Sequence, residues 1–361
     1  MPQMKRGRRI ARLAALGAWL IAAGALGPAG LPPPPAPPAG PVRLDAAVEA
    51  AAGLPRLHGL LVSWRGNLVV EKYFHGARAN RPANIKSASK TVISSLVGIA
   101  IEQGKIESLD TPIASFFPKL LGDGPDPPKR AITVEDLVSM RAGLESTSGR
   151  NYGRWVRSGD WVRHILSRPM AAESGGPMIY STGTTHLLSA ILTKATGAST
   201  RGFAQEFLAG PLGFDLAHWP RDPQGIYFGG NDMLLTPRQM LAFGELYLHR
   251  GRANGKQIIP ESWVDASWVP RTRSRRSGRM YGYGWWMREL GGVWAYYAWG
   301  YGGQFIFVVP KLDTVIVTTA SDSPGEGRRG HLGGVYDLVG RLILEPIAGG
   351  GEVLPLEQRA D

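Results

Sequence analysis

Residues 59–64 read GLLVSW and residues 68–74 read LVVEKYF, with Arg65-Gly66-Asn67 between them. Both runs are rich in β-branched and aromatic side chains and the join is a turn signal, so the pair is expected to form a β-hairpin. A second pair lies near the other end of the chain, where FIFVVP (305–310) and TVIVTTA (314–320) flank Lys311-Leu312-Asp313. After it, Leu332, Val335, Tyr336, Val339, Leu342 and Ile343 recur at the spacing of an amphipathic helix. Helical patterns fill the middle. The stretch 87–103 puts Val92, Leu96, Ile99 and Ala100 on one stripe, and Thr133 before Glu135 and Asp136 reads as an N-cap with acids in the first turn. Stretches 186–195 and 237–249 read as further helices. The expected fold is therefore α/β of the α+β kind: one antiparallel sheet built from both chain ends, flanked by helices, with an inserted, mostly helical subdomain.

The chain has 361 residues, with 43% apolar and 19% charged side chains, enough for a sizeable core. Eleven Trp residues suit a broad core or an aromatic-lined cleft equally. Lys and Arg outnumber Asp and Glu by 41 to 29, a net charge of +12. The excess is local: Lys5, Arg6, Arg8, Arg9 and Arg12 crowd the start, and Arg271, Arg273, Arg275, Arg276 and Arg279 crowd one later segment. A nucleic-acid binder spreads its cations along a face with aromatic or polar readers among them, so no nucleic-acid partner is expected. The later cluster reads as a solvated loop. The chain has no cysteine, which excludes disulfides, thiolate catalysis, Cys-ligated zinc and a lipidated cysteine.

Residues 1–12 are basic, residues 13–26 (LAALGAWLIAAGAL) are apolar, and Ala23-Gly24-Ala25 supplies small residues. This is the pattern of a secretory signal; its apolar run is shorter than the roughly 20 residues that span a bilayer. Export to the periplasm or the extracellular space is expected, with an uncleaved anchor in the inner membrane as the alternative. Residues 28–41 are dominated by proline and form a stiff extended spacer. The expected organisation is a signal or anchor over 1–27, a linker over 28–43, a single catalytic-sized domain over 44–348 and a tail over 349–361.

No G-x-S-x-G elbow, H-E-x-x-H pair or phosphate-binding glycine loop occurs, so neither a metal nor a cofactor is expected. What stands out is Lys86-Ser87-Ala88-Ser89-Lys90-Thr91, at the start of the helix that follows the first hairpin. Ser87 and Lys90 are three apart, so on a helix their side chains meet. Among ten lysines, Lys90 alone has a serine three residues before it. A lysine removes a proton only when neutral, and lowering its pKa from about 10.4 to 7 corresponds to roughly 4 kcal/mol, within reach of burial. Lys86, the nearest cation, reads as solvated. Two further elements are Tyr180-Ser181-Thr182, a loop tyrosine ahead of a helix, and Trp299-Gly300-Tyr301-Gly302-Gly303-Gln304, whose glycines let a ligand approach the backbone or mark a bulge.

Together these elements resemble the serine β-lactamase and penicillin-binding superfamily, in its class C and esterase branch, and within it the 6-aminohexanoate-dimer hydrolase type. The resemblance runs from about Leu60 to Leu344 and includes EKYFHG (71–76), SASK (87–90), GKIESLDTP (104–112), ITVEDLVSMRAGL (132–144), PLGF (211–214), YGYGWW (281–286) and GYGGQ (300–304). It implies a β-lactamase/transpeptidase-like fold and two-step acyl transfer through Ser87. Lys90 and Tyr180 share the acid and base work, which of them is the base being left open. It also implies an oxyanion hole from the backbone of Ser87 and of Gln304 or Gly303. Substrate contacts are expected from Tyr301, Gly302, Thr182, Tyr283, Trp285, Asn231 and Tyr152, with Trp286 lining or supporting the cleft. Two departures separate this chain from the lactamases. Thr182 replaces an asparagine, and Tyr301 replaces a cation that attracts a substrate carboxylate. Both favour a small ester or amide as substrate. The alternatives are a D-amino-acid peptidase or β-lactamase, and a non-catalytic binding protein on the same fold. No oligomeric state is implied.

Overall fold

The computed structural model describes residues 41–121, 127–323 and 327–355. The expected signal or anchor and most of the proline-rich linker lie outside the described residues. Among the described residues, no helix is long and apolar enough to cross a membrane.

Both expected hairpins form, β1 (Leu57–Trp64) with β2 (Asn67–Tyr73), and β7 (Gln304–Val309) with β8 (Thr314–Ala320). Between them in sequence come β3 (Thr272–Arg273), β4 (Met280–Tyr281), β5 (Trp286–Leu290) and β6 (Val293–Gly300). The eight strands make one antiparallel sheet in the order β2-β1-β8-β7-β6-β5-β4-β3. The N-terminal hairpin docks on the last strand, with Leu60 opposite Thr318 and Val62 opposite Ile316. The sheet therefore closes around both chain ends as expected, although the hairpin of β5 and β6 and the short edge strands went unread.

Period-two alternation splits the apolar residues between the two faces. Leu61, Ile306, Val308, Val315 and Val317 face one core; Leu60, Val62, Phe305, Phe307 and Ile316 face the other. The first core is covered by α2 (Ser89–Glu102), α3 (Thr182–Thr196) and α4 (Pro237–Leu248). The second is covered by α1 (Asp45–Ala52) and by α5 (Arg328–Asp337), which continues in helical form to Ala348. Thr133 caps its helix as expected, in a reciprocal capping box with Asp136.

Two boundaries shift. Val42 bridges to Val353, donating to the Glu352 carbonyl at 2.8 Å while its own carbonyl accepts from Leu354 at 3.1 Å. The folded unit thus takes in the end of the expected linker and the start of the expected tail. The arginine cluster is also more than a solvated loop. Arg271 lies over the Tyr283 ring at 4.6 Å and Arg279 over Trp299 at 5.1 Å, so two of its cations cover aromatic faces beside the edge strands.

Candidate active site

The nucleophile segment is built in three steps. Ala83–Asn84 forms a two-residue ladder with Leu234–Leu235, Lys86–Ala88 makes a 3-10 turn, and α2 then begins at Ser89. Ser87 thus precedes the α-helix rather than opening it. Its three-residue spacing to Lys90 still brings the two together, with the Lys90 Nζ 3.1 Å from the Ser87 Oγ.

Lys90 is 2% exposed. Its amine also lies 2.5 Å from the Gly230 carbonyl and 3.3 Å from the Thr182 Oγ1. Burial brings its pKa down to about 7, against a smaller opposing pull from Asp232. A neutral amine has two N–H donors and one lone pair. Protonated, the amine donates to Ser87, Thr182 and Gly230; once neutral, with its two donors given to Gly230 and Thr182, it has a lone pair to accept from the Ser87 hydroxyl.

Tyr180 closes the third side. Its phenol is within hydrogen-bonding reach of Ser87, its ring lies 5.2 Å from the Lys90 Nζ, and Trp286 packs behind it at 5.7 Å. Burial pushes its pKa up to about 12, with the Ser87 hydrogen bond opposing, so near neutrality it is a proton donor. Tyr180→Phe keeps the ring packing and removes only the hydroxyl. The expected result is a fall in kcat of about 10²–10³-fold with an unchanged melting temperature, read from turnover and thermal denaturation of the two proteins.

The positions of Tyr180 and Thr182 depend on residues the sequence reading missed. Ser181 makes no side-chain cap for α3. The strip Ser146-Thr147-Ser148 supplies the caps instead. Thr182 and Gly183 donate their amides to the Ser148 Oγ and Thr147 Oγ1 at 2.8 and 2.9 Å, and the Ser146 Oγ donates to the Tyr180 carbonyl at 2.7 Å. The Ser148 and Thr182 hydroxyls also meet at 2.9 Å, extending the network that begins at Lys90.

The Gly230 carbonyl is delivered by a second unpredicted device. His186, fully buried on α3, faces Asp222 at 3.0 Å through Nε2, and its Nδ1 accepts from the Gly229 amide at 3.4 Å. These contacts place the ring proton on Nε2. Asp222 also takes the amides of Gln224 and Ile226, both at 2.8 Å, which fixes the loop leading to Gly229 and Gly230. A Cβ on Gly230 would sit 2.9 Å from the Thr182 carbonyl and 3.1 Å from the Lys90 Nζ, so only glycine brings this carbonyl so close.

The third element meets the nucleophile turn at Gly300, where a Cβ would lie 2.0 Å from the Ile85 carbonyl oxygen. Gly300→Ala must displace backbone on one side or the other. It is expected to lower kcat/KM at least about 10²-fold and stability by about 2–3 kcal/mol, measured by turnover and denaturant titration.

Pairing of β6 with β5 ends at Tyr297, so the stretch from Ala298 to Gly300 is open on that side. The expected oxyanion donors Gln304 and Gly303 are engaged elsewhere. Gln304 lies opposite Gly300 in the ladder with its side chain bound to the Ala320 backbone, and the Gly303 amide points back to the Gly300 carbonyl at 3.4 Å. Tyr301 stands at the hairpin tip, 44% exposed, and Gly302 packs on Ser321 and Asp322.

Of the other expected contacts, Tyr152 and Asn231 do come together, the Asn231 Nδ2 donating to the Tyr152 hydroxyl at 2.8 Å next to Gly230. Tyr283 and Trp285 do not reach the cleft. Tyr283 is buried, donates to Glu135 at 2.6 Å and stacks on Trp263; Trp285 is fully buried against Phe243, Tyr247 and Trp268. Adjacent residues at a strand end point in opposite directions, which gives Trp286 to Tyr180 and Trp285 to the core.

The sequence profile of the Beta-lactamase family matches residues 44–340. The chain belongs to this family. Within it, the chain is 26% identical over 322 residues to the 6-aminohexanoate-dimer hydrolase of Paenarthrobacter ureafaciens, covering 80% of each chain. Among solved structures it is similar to a candidate 6-aminohexanoate-dimer hydrolase of Bacillus anthracis, with a TM-score of 0.67, 23% identity, and 81% of this chain and 80% of that one covered. It is also similar to EstCE1, a hydrolase with promiscuous acyltransferase activity, with a TM-score of 0.65, 17% identity, and coverage of 82% and 98%. The fold is that of the β-lactamase and penicillin-binding superfamily, and the protein is a beta-lactamase-family hydrolytic enzyme.

Proposed function

We propose that the protein is an exported serine hydrolase that cleaves carboxylic esters or small amides through an acyl-enzyme on Ser87. The observation that carries this reading is the buried Lys90 amine, in contact with Gly230 and Thr182 and 3.1 Å from the Ser87 Oγ.

Ser87 Oγ attacks the carbonyl carbon as its proton passes to Lys90. Tyr180 then protonates the departing alcohol or amine and is itself reprotonated from Lys90. In the second half, water gives a proton to Lys90 and attacks the acyl carbon. The carbonyl re-forms, the bond to Ser87 breaks and Lys90 returns the proton to the leaving Ser87 oxygen, restoring the neutral amine. We assign the oxyanion donors to the backbone of Ser87 and of the Gly300–Tyr301 edge, because that edge packs on the nucleophile turn.

The preference for esters or amides rests on Thr182, whose hydroxyl is engaged by Lys90 and Ser148, and on Tyr301, which brings no cation to the rim. Tyr152 and Asn231 are assigned to the substrate side of the Gly230 loop. Export rests on the basic and apolar pattern of residues 1–26 alone. Turnover of p-nitrophenyl esters, nitrocefin and a D-Ala-D-Ala peptide tests the substrate class. Ester turnover lost in Ser87→Ala is expected, whereas a stable penicillin adduct or preferential peptide cleavage would favour the lactamase or peptidase reading.

A further inference from the structure

Two residues flanking the catalytic pair hold a left-handed backbone without being glycine. Lys86, immediately before the nucleophile, has φ +50°, and Asp232, two residues after the carbonyl that holds Lys90, has φ +57°. L residues keep such conformations only where the surroundings hold them, and they concentrate at functional sites.

Here the surroundings are each other. The Lys86 Nζ lies 3.2 Å from the Asp232 Oδ1 and 2.9 Å from the Asp322 Oδ2. Asn84 joins the same knot: its Oδ1 accepts from the Lys86 amide at 3.0 Å and its Nδ2 donates to the Asp232 Oδ1 at 2.7 Å. The backbones are zipped alongside, Ile85 donating to the Met233 carbonyl at 3.0 Å. Lys86 is therefore engaged rather than solvated, and none of these bonds reaches Ser87, Lys90 or Tyr180. A solvated residue would gain nothing from a strained backbone.

We propose that Asp322, Lys86 and Asp232 form a positioning clamp that ties the nucleophile turn to the Gly230 loop, fixing Ser87 against Lys90 and screening the Asp232 charge from the Lys90 amine. Lys86 is a positioning residue on this account.

The electrostatics run the same way. The groups facing Lys90 are the Ser87 and Thr182 hydroxyls, the Gly230 carbonyl and the Tyr180 ring. Asp232 is the charged group that acts on it, and favours its protonated form. Facing Lys86 are Asp232, Asp322 and Asn84, with Tyr152 close enough to sense both Lys86 and Asp232. Burial alone would lower the Lys86 pKa, but Asp322 and Asp232 more than reverse it, so Lys86 keeps its charge and offsets that of Asp232.

The test is the pH dependence of Ser87 labelling by a fluorophosphonate, with melting temperatures, in wild type, Lys86→Met, Lys86→Gly, Lys86→Arg and Asp232→Asn. Lys86→Met and Lys86→Gly are expected to slow the maximal labelling step about 10- to 100-fold, with little change in the half-saturating concentration. Their acidic limb should move to higher pH, because Asp232 is unmasked. Asp232→Asn should move that limb to lower pH, and Lys86→Arg, which keeps the ion pairs, should recover most of the rate. The clamp is overturned if Lys86→Gly labels like wild type, if the Lys86→Met loss lies wholly in the half-saturating concentration, or if melting temperature falls while rate and limb stay put. The clamp presupposes the catalytic reading. Absence of label on wild-type Ser87 would overturn both, whereas normal wild-type labelling with unchanged variants overturns the clamp alone.

Discussion

Ser87→Ala is expected to lower ester turnover by about 10⁴-fold or more while the protein stays folded. Without the hydroxyl no acyl-enzyme forms, and only the bound carbonyl and its backbone donors remain, a residue of catalysis that small in other serine hydrolases. Stability should change by less than about 1 kcal/mol. Ser87 is only partly buried, sits in a 3-10 turn rather than in the core, and the buried Lys90 keeps its bonds to Gly230 and Thr182. Turnover and melting temperature measured on the same preparation separate lost chemistry from lost fold.

Lys90→Met is expected to lower turnover by about 10³-fold and at the same time to stabilise the protein. In the proposed mechanism the amine is the base, so its loss removes the general-base contribution. Its burial is also a standing cost. The folded-state pKa is about 7 against an ordinary value of 10.5, so between those two pH values the unfolded chain binds more protons than the folded one. Stability contributed by this site therefore rises with pH from about 7 towards 10.5 and is least below 7. Methionine fills a similar volume without an ionisable group, and a gain of about 2–4 kcal/mol near neutrality is expected from denaturant titration. Activity of the wild type is expected to follow the same titration. kcat/KM should rise through a single acidic limb near pH 7 as Lys90 loses its proton, with no fall until Tyr180 ionises near 12. A variant that gains stability as it loses activity is the signature of a residue kept strained for function.

The two terminal hairpins were legible because their alternation and turns are local, and together they make up half of the sheet, β2-β1-β8-β7. The pairing of Ser87 with Lys90 was legible for a related reason: three residues is the reach of one turn, whether 3-10 or α. The β5–β6 hairpin was not, since Trp286–Leu290 and Val293–Gly300 mix Gly, Arg and Glu with their aromatics and the last three of the eight residues of Val293–Gly300 do not pair with the partner strand. The same uncertainty of register misplaced Trp285 and Tyr283. A shift of one residue exchanges core for cleft, and only the neighbouring strands settle which applies. The clearest gap lies in the groups that hold Lys90. A backbone carbonyl such as that of Gly230 has no side chain to announce it, and the Ser146-Thr147-Ser148 strip caps a helix 34 residues away in sequence. His186 and Asp222 lie 36 residues apart in sequence and nothing local joined them. Lys86 was read as solvated because its two acids lie 146 and 236 residues further along the chain.

Intact-mass and peptide mapping of the wild-type protein after exposure to a fluorophosphonate, beside Ser87→Ala, tests the central claim most directly. The account predicts one adduct per chain, on the peptide carrying Ser87, formed faster as pH rises through 7 and absent from Ser87→Ala. Equal labelling of the two proteins, or an adduct mapped to another residue, would contradict it.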